Sequence, residues 1–305
     1  MYLRYLLVLF LSVIVPNIGH SQGKKALLVG ISDYESYKFI TGWRNINGTN
    51  DVKLIYNDLK LQGFNDVQLL TDAQATYRNI INGLDRLISN AQKGDIIYFH
   101  FSGHGQPIFD QNEDEGPDDS WDESIIPIDA AQCYSKGFYE GEYHITDDIL
   151  SEKFICLRKK VGGKGFVYAV FDACYSGTIT RTGDKTNYDV EAPTRGTDCG
   201  FDFGKGLEFD APITRRTNYS LTHSHELSPI TVLEACLPHQ TNREIKVDDN
   251  YYGPLSYYIH QTLKSKKIDN RAGWIKHVIS LFKSDRRTFN QNIVCESSLN
   301  DGKSN

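Results

Sequence analysis

GFVYAVFDACYSG, residues 165–177, decides the fold. An unbroken apolar run of this length reads as a strand buried on both faces, which is the pattern of a parallel sheet. Such a strand ordinarily ends in turn residues. This one ends in an acid and a thiol, Asp172 and Cys174, followed by Ser176 and Gly177. DIIYFHFSGHG, residues 95–105, has the same shape and ends in Ser102-Gly103-His104-Gly105. Two buried strands that each deliver a reactive side chain at the carboxyl end predict one site at one edge of one sheet.

The rest of the chain supplies the layers around that sheet. Lys25–Ser32 (KALLVGIS) and Asp66–Leu70 (DVQLL) read as two further strands. Apolar positions at helical spacing predict helices over 49–62 and 76–91, and Thr146-Asp147-Asp148 opens a third over 145–157 with acids in its first turn. A strand over 229–236 and helices near 253–265 and 271–284 follow. Alternation of this kind specifies an α/β fold, a three-layer αβα sandwich around a mostly parallel sheet. Residues 181–228 are polar and weakly periodic, and read as a linker and possible processing segment; residues 286–305 read as a disordered tail.

Residues 1–21 stand apart. Arg4, the apolar run from Tyr5 to Val15, and Gly19-His20-Ser21 before Gln22 have the layout of a secretory signal peptide, with an uncleaved anchor as the alternative; the first reading predicts a secreted or periplasmic protein with no membrane attachment after cleavage. A formal net charge of −6 argues against nucleic acid as a partner. The six cysteines show no CxxC or zinc spacing, and their pairing is open.

The chemistry at the two strand ends is coherent. A cysteine beside a histidine is a nucleophile with its base, and the same histidine can return the proton to a leaving amine. Backbone N–H groups at Gly105 and Cys174 are placed to stabilise an oxyanion.

FSGHG at 101–105 and DACYSG at 172–177 resemble the caspase-like clan of cysteine peptidases (peptidase C14, with its p20-type domain), and within it the metacaspases and their bacterial relatives. The resemblance is close over 24–180, the p20-like catalytic region. It is looser over 229–285, where ITVLEACLPHQTNRE and YYGPLSYYI are similar to the p10-like half completing the same domain. It implies a cysteine endopeptidase with His104 as base and Cys174 as nucleophile. It further implies a pocket for a basic side chain built on Asp51, Ser102 and Asp172, hence cleavage of proteins or peptides after Arg or Lys by a monomer. Carboxylates are the partners an Arg or Lys needs in a concave site. Arg181, Lys185, Arg195, Lys205, Arg215 and Arg216 make the linker a candidate for self-processing.

DQNEDEGPDDSWDE, residues 110–123, carries eight acids and no base and reads as a solvated loop. No cofactor is required by a Cys-His pair. The family's calcium positions, carried over, fall on Asp122, Asp147 and Asp148, but the fourth falls on Arg181, a cation. Two other readings remain open at this point: a catalytically silent scaffold that binds protein partners, and Cys174 as a structural disulfide partner of Cys156 or Cys236.

Overall fold

The computed structural model describes residues 22–37, 41–112, 120–175, 192–197, 199–209, 221, 224–269 and 271–299. In chain order the elements are β1 (Lys24–Gly30), α1 (Gly48–Leu61), β2 (Asp66–Thr71), α2 (Tyr77–Asn90), β3 (Ile96–Ser102), β4 (Gly105–Phe109), β5 (Trp121–Ile125), β6 (Ile145–Thr146), α3 (Asp147–Val161), β7 (Phe166–Asp172), β8 (Ile230–Glu234), β9 (Ile245–Val247), β10 (Asn250–Tyr252), α4 (Pro254–Leu263), α5 (Gly273–Ser284) and β11 (Val294–Ser297).

The apolar runs behave as their composition dictates. β3, β7 and β8 are buried along their whole length. Among the described residues the main sheet has six strands in the order β11-β8-β7-β3-β1-β2. All neighbours are parallel except β11, which runs antiparallel to β8. Alternation along β1 separates two cores. Leu27 and Val29 pack with Leu84 and Leu87 of α2 and Phe154 and Leu157 of α3. Ala26 and Leu28 pack with Val52 and Ile55 of α1, Ile259 of α4 and Trp274 and Phe282 of α5. The result is the expected three layers, with a mixed but mostly parallel sheet in the middle.

Three expectations are corrected. The segment read as a disordered tail contains β11, paired from Val294–Glu234 to Ser297–Thr231. An edge strand of sequence VCES is held by main-chain bonds and carries no apolar signal. The acidic stretch is not wholly a loop: β4, β5 and β6 form an antiparallel sheet that includes Trp121 and Asp122, with Asp110 and Asp122 buried. The described part of the linker is packed against the body, with Arg195 fully buried and Phe201 nearly so. Phe201 accepts from the Phe109 N–H and donates its own to the Pro107 carbonyl, extending β4. Residues 1–21, 176–191 and 210–220 lie outside the described residues, so the signal-peptide reading, Arg181, Lys185, Arg215 and Arg216 have no structural counterpart here.

Register fixes where the chemistry sits. Ser102 of β3 lies opposite Asp172 of β7 and Gly30 of β1. The two quoted stretches therefore end side by side, at the carboxyl edge of adjacent strands.

Candidate active site

At that edge lies a side chain from the linker. The Arg195 guanidinium is fully buried among acids. Its Nε donates to Glu244 Oε1 (3.1 Å), its Nη1 to Ser102 Oγ (2.6 Å) and the Asp172 carbonyl (3.0 Å), and its Nη2 to Asp51 Oδ2 (2.7 Å) and Glu244 Oε1 (2.7 Å). Nη1 also lies 3.5 Å from Asp172 Oδ1. Guanidinium and carboxylate match in geometry, so such contacts are both strong and selective.

The acids are held in turn by backbone and small side chains. Asp51 accepts from Ser102 Oγ (2.6 Å) and from the Gly253 N–H (3.0 Å). Asp172 sits at the N-terminus of α4, where it accepts from the Ser256 N–H and hydroxyl, both 2.7 Å, and from Asn242 Nδ2 (2.8 Å). Partial positive charge at a helix start favours a carboxylate there. Glu244 accepts from the Asn47 N–H (2.7 Å) and Nδ2 (2.6 Å). A Cβ on Gly253 would stand 2.3 Å from Asp172 Oδ2 and 2.4 Å from Arg195 Nη1, so only glycine fits that wall.

Burial, and after it the attraction between the guanidinium and the acids, dominates the electrostatics. Desolvation raises the Asp51 carboxyl to about 7, with Arg195 opposing and Asp172 and Glu244 adding to the rise. Burial also opposes the charge on Arg195, but the three acids outweigh it and keep the guanidinium protonated.

The backbone of the same residue reaches the other half of the site. The Arg195 carbonyl oxygen accepts from the N–H of Gly105 and the N–H of Cys174, both at 3.1 Å. Its N–H donates to the Asn242 carbonyl (3.0 Å), and the Glu244 N–H donates to the Pro193 carbonyl (3.0 Å), with Thr194 bridged antiparallel to Arg243. A Cβ at Gly105 would meet the Cys174 carbonyl oxygen at 2.7 Å, which is how closely the two strand ends approach.

His104 is held in one tautomer. Its Nε2 is 2.8 Å from the Arg44 carbonyl oxygen. A carbonyl only accepts, so the neutral ring carries its proton on Nε2 and leaves Nδ1 as the basic atom. Nδ1 is buried and makes no hydrogen bond among the described residues. The ring stacks on Trp43 with centroids 4.7 Å apart and tilts against Tyr34 at 4.8 Å. Burial, aided by the charge on Arg195, lowers its pKa to about 4, against the Arg44 contact, so the imidazole is neutral at neutral pH. The Cys174 thiol is in no disulfide, is fully buried, and points its Sγ at the Gln240 carbonyl oxygen, 2.9 Å away. No Sγ–Nδ1 hydrogen bond is formed.

The sequence-predicted residues thus fall into two groups. His104, Gly105, Cys174, Asp51, Ser102 and Asp172 come together around Arg195. Of the calcium set, Asp122 and Asp147 are buried and Asp148 Oδ2 accepts from Asn112, while Arg181 lies outside the described residues; among the described residues no three His, Cys, Asp or Glu side chains are grouped as a metal ion needs. No step is therefore routed through calcium. Sequence reasoning missed Glu244, Asn242 and the aromatic wall of Tyr34 and Trp43. Glu244 follows strand β8 by ten residues, and its only sequence signal is an acid inside the stretch that resembled the p10-like half.

A buried thiol, a fixed imidazole, two converging N–H groups and an acid-lined pocket on a caspase-like α/β sheet are the arrangement of a cysteine peptidase. Residues 24–182 match the family model described as metacaspase, peptidase C14 domain, and the chain belongs to that family. Metacaspase-1 of Meyerozyma guilliermondii is 28% identical over 291 residues, covering 85% of this chain and 66% of that protein. Metacaspase-1 of Mycosarcoma maydis is 34% identical over 52% of this chain and 37% of its own length. Metacaspase-2 of Trypanosoma brucei brucei is 30% identical over 52% of this chain and 43% of its own. The chain therefore spans less than two thirds of the length of these curated relatives. Among solved structures, protein GSU0716 of Geobacter sulfurreducens superposes with a TM-score of 0.57 at 17% identity, over 90% of this chain and 93% of that one, a likeness of fold.

Proposed function

We propose that this chain is a cysteine endopeptidase that cuts after arginine and that its first substrate is its own Arg195–Gly196 bond. One observation carries the reading. A single residue fills the acid pocket with its side chain while its carbonyl oxygen accepts from Gly105 and Cys174. A substrate residue just before a scissile bond has to satisfy both conditions together. Residues 193–195 also run antiparallel to 242–244, in the manner of an extended peptide added to a strand edge.

The chemistry follows from the atoms in place. The thiol turns from Gln240 toward His104, whose bare Nδ1 takes its proton. The sulfur attacks the Arg195 carbonyl carbon, and the N–H groups of Gly105 and Cys174 hold the oxygen as it gains charge. His104 returns the proton to the Gly196 nitrogen, the C–N bond breaks, and water hydrolyses the acyl-enzyme. Until that happens the 193–197 segment keeps other peptides out, so the uncut chain inhibits itself.

Substrates in trans are then protein segments with arginine in an extended stretch, and lysine is a weaker second choice. Residues 1–21 serve as an export signal in this account, and mature protein beginning at Gln22 is the expected secreted form. The test is a fluorogenic panel with Arg, Lys, Asp or Leu before the scissile bond. Turnover of the Arg peptide that disappears in Cys174→Ala and in His104→Ala supports the reading. A preference for Asp would overturn the pocket, and binding of partners with no turnover by wild type would make the chain a silent scaffold.

A further inference from the structure

Cys174 lies two residues beyond β7 and Cys236 two residues beyond β8, on adjacent parallel strands. Their thiols converge on one acceptor. Cys174 Sγ is 2.9 Å and Cys236 Sγ 3.4 Å from the carbonyl oxygen of Gln240. Cys236 Sγ also lies 4.0 Å from the carbonyl oxygen of Ala173, the residue before the nucleophile. Both thiols are buried and neither is in a disulfide. The hydrogen bond between the two side chains, and burial after it, push the Cys236 thiol well above its ordinary range. Cys236 is thus held as the protonated thiol while Cys174 is reduced.

We propose that Cys236 is the redox partner of Cys174: after a peroxide oxidises Cys174, the two close into a reversible disulfide that stops turnover and spares the nucleophile further oxidation. The Cys174 thiolate attacks the peroxide O–O bond, gains one oxygen as sulfenic acid and releases the other as water or an alcohol. The Cys236 sulfur then attacks the Cys174 sulfur. An S–S bond forms, the S–O bond breaks, and the hydroxyl leaves with the Cys236 proton as water. Two thiols have lost two electrons to one peroxide, and a dithiol reductant restores both. The geometry suits the second step because the two sulfurs sit against the same oxygen, just past the ends of adjacent parallel strands.

The proposal rests on the peptidase reading only for its activity readout. Full-length reduced protein is treated with a series of hydrogen peroxide concentrations, free thiols are blocked, and the unreduced digest is read by mass spectrometry. A Cys174–Cys236 linked peptide is expected, with activity lost on oxidation and regained with dithiothreitol. In Cys236→Ser, and in Cys236→Ala should serine disturb the fold, Cys174 is expected as sulfinic or sulfonic acid, with activity not regained. Wild-type Cys174 that stays reduced while the exposed Cys133 is oxidised, or that ends as sulfinic acid like the variants, would overturn the proposal. A linked peptide in a protein without peptidase activity would uphold it and refute the proposed function instead.

Discussion

Arg195→Lys is the perturbation that weighs the pocket most closely. The guanidinium makes five hydrogen bonds through three nitrogens, to Glu244 twice, Asp51, Ser102 and the Asp172 carbonyl. A lysine ammonium has three donors on one atom and cannot span acids placed for a planar fork. At least two bonds to or from charged groups are lost. Each contributes about 1.5–3 kcal/mol, so the loss is about 3 kcal/mol or more. At about 1.36 kcal/mol per decade, self-cleavage slows by at least about 100-fold. The assay is the rate at which intact chain converts to two fragments, followed by intact mass. Fold is controlled by thermal unfolding, since lysine keeps the charge that the three acids require. Cleavage of the Arg195→Lys chain within threefold of wild type would refute the reasoning, because it would mean that the guanidinium contacts do not hold the reacting residue.

Glu244→Gln removes one negative charge beside Arg195 and beside Asp51; kcat/KM on Arg peptides is expected to fall about 10- to 100-fold, in line with one or two charge-assisted bonds, and an unchanged value would remove Glu244 from the pocket. Gly253→Ala puts a Cβ 2.3 Å from Asp172 Oδ2, and because Gly253 has φ −64°, which alanine adopts freely, the expected result is a folded protein with at least ~10-fold lower kcat/KM on Arg peptides. The pH dependence has a definite sign. Burial raises the Asp51 carboxyl to about 7 with Arg195 in place, against the pull of the guanidinium, so the carboxylate that pairs with the guanidinium forms as pH rises through about 7. Self-cleavage should therefore quicken as pH rises through about 7 and level off above it, measured against an Asp51→Asn control in which that dependence is lost.

Much of the fold was legible because β3, β7 and β8 are buried on both faces, and burial of that kind leaves a continuous apolar run. The meeting of Ser102 and Asp172 followed from parallel pairing of two such runs. β11 and the β4–β6 sheet were not legible, since edge and short antiparallel strands are held by main-chain bonds that any polar sequence can make. Asp51, Ser102 and Asp172 were readable as a pocket only through resemblance to a family. Glu244 was not readable because nothing local marks an acid whose partner is 49 residues away. The polarity of the linker gives no sign that part of it packs against the body. Arg195 looks in the sequence like any solvated basic residue until the acids that surround it are located in space.

The central claim is that residues 193–196 lie in the cleft as the enzyme's own substrate. The direct measurement is N-terminal sequencing of the fragments formed by purified protein, beside Cys174→Ala prepared in the same way. One new terminus at Gly196 is expected in the wild type and an intact chain in the variant. A new terminus at any other bond as the first cut, or the same cut in Cys174→Ala, would contradict it.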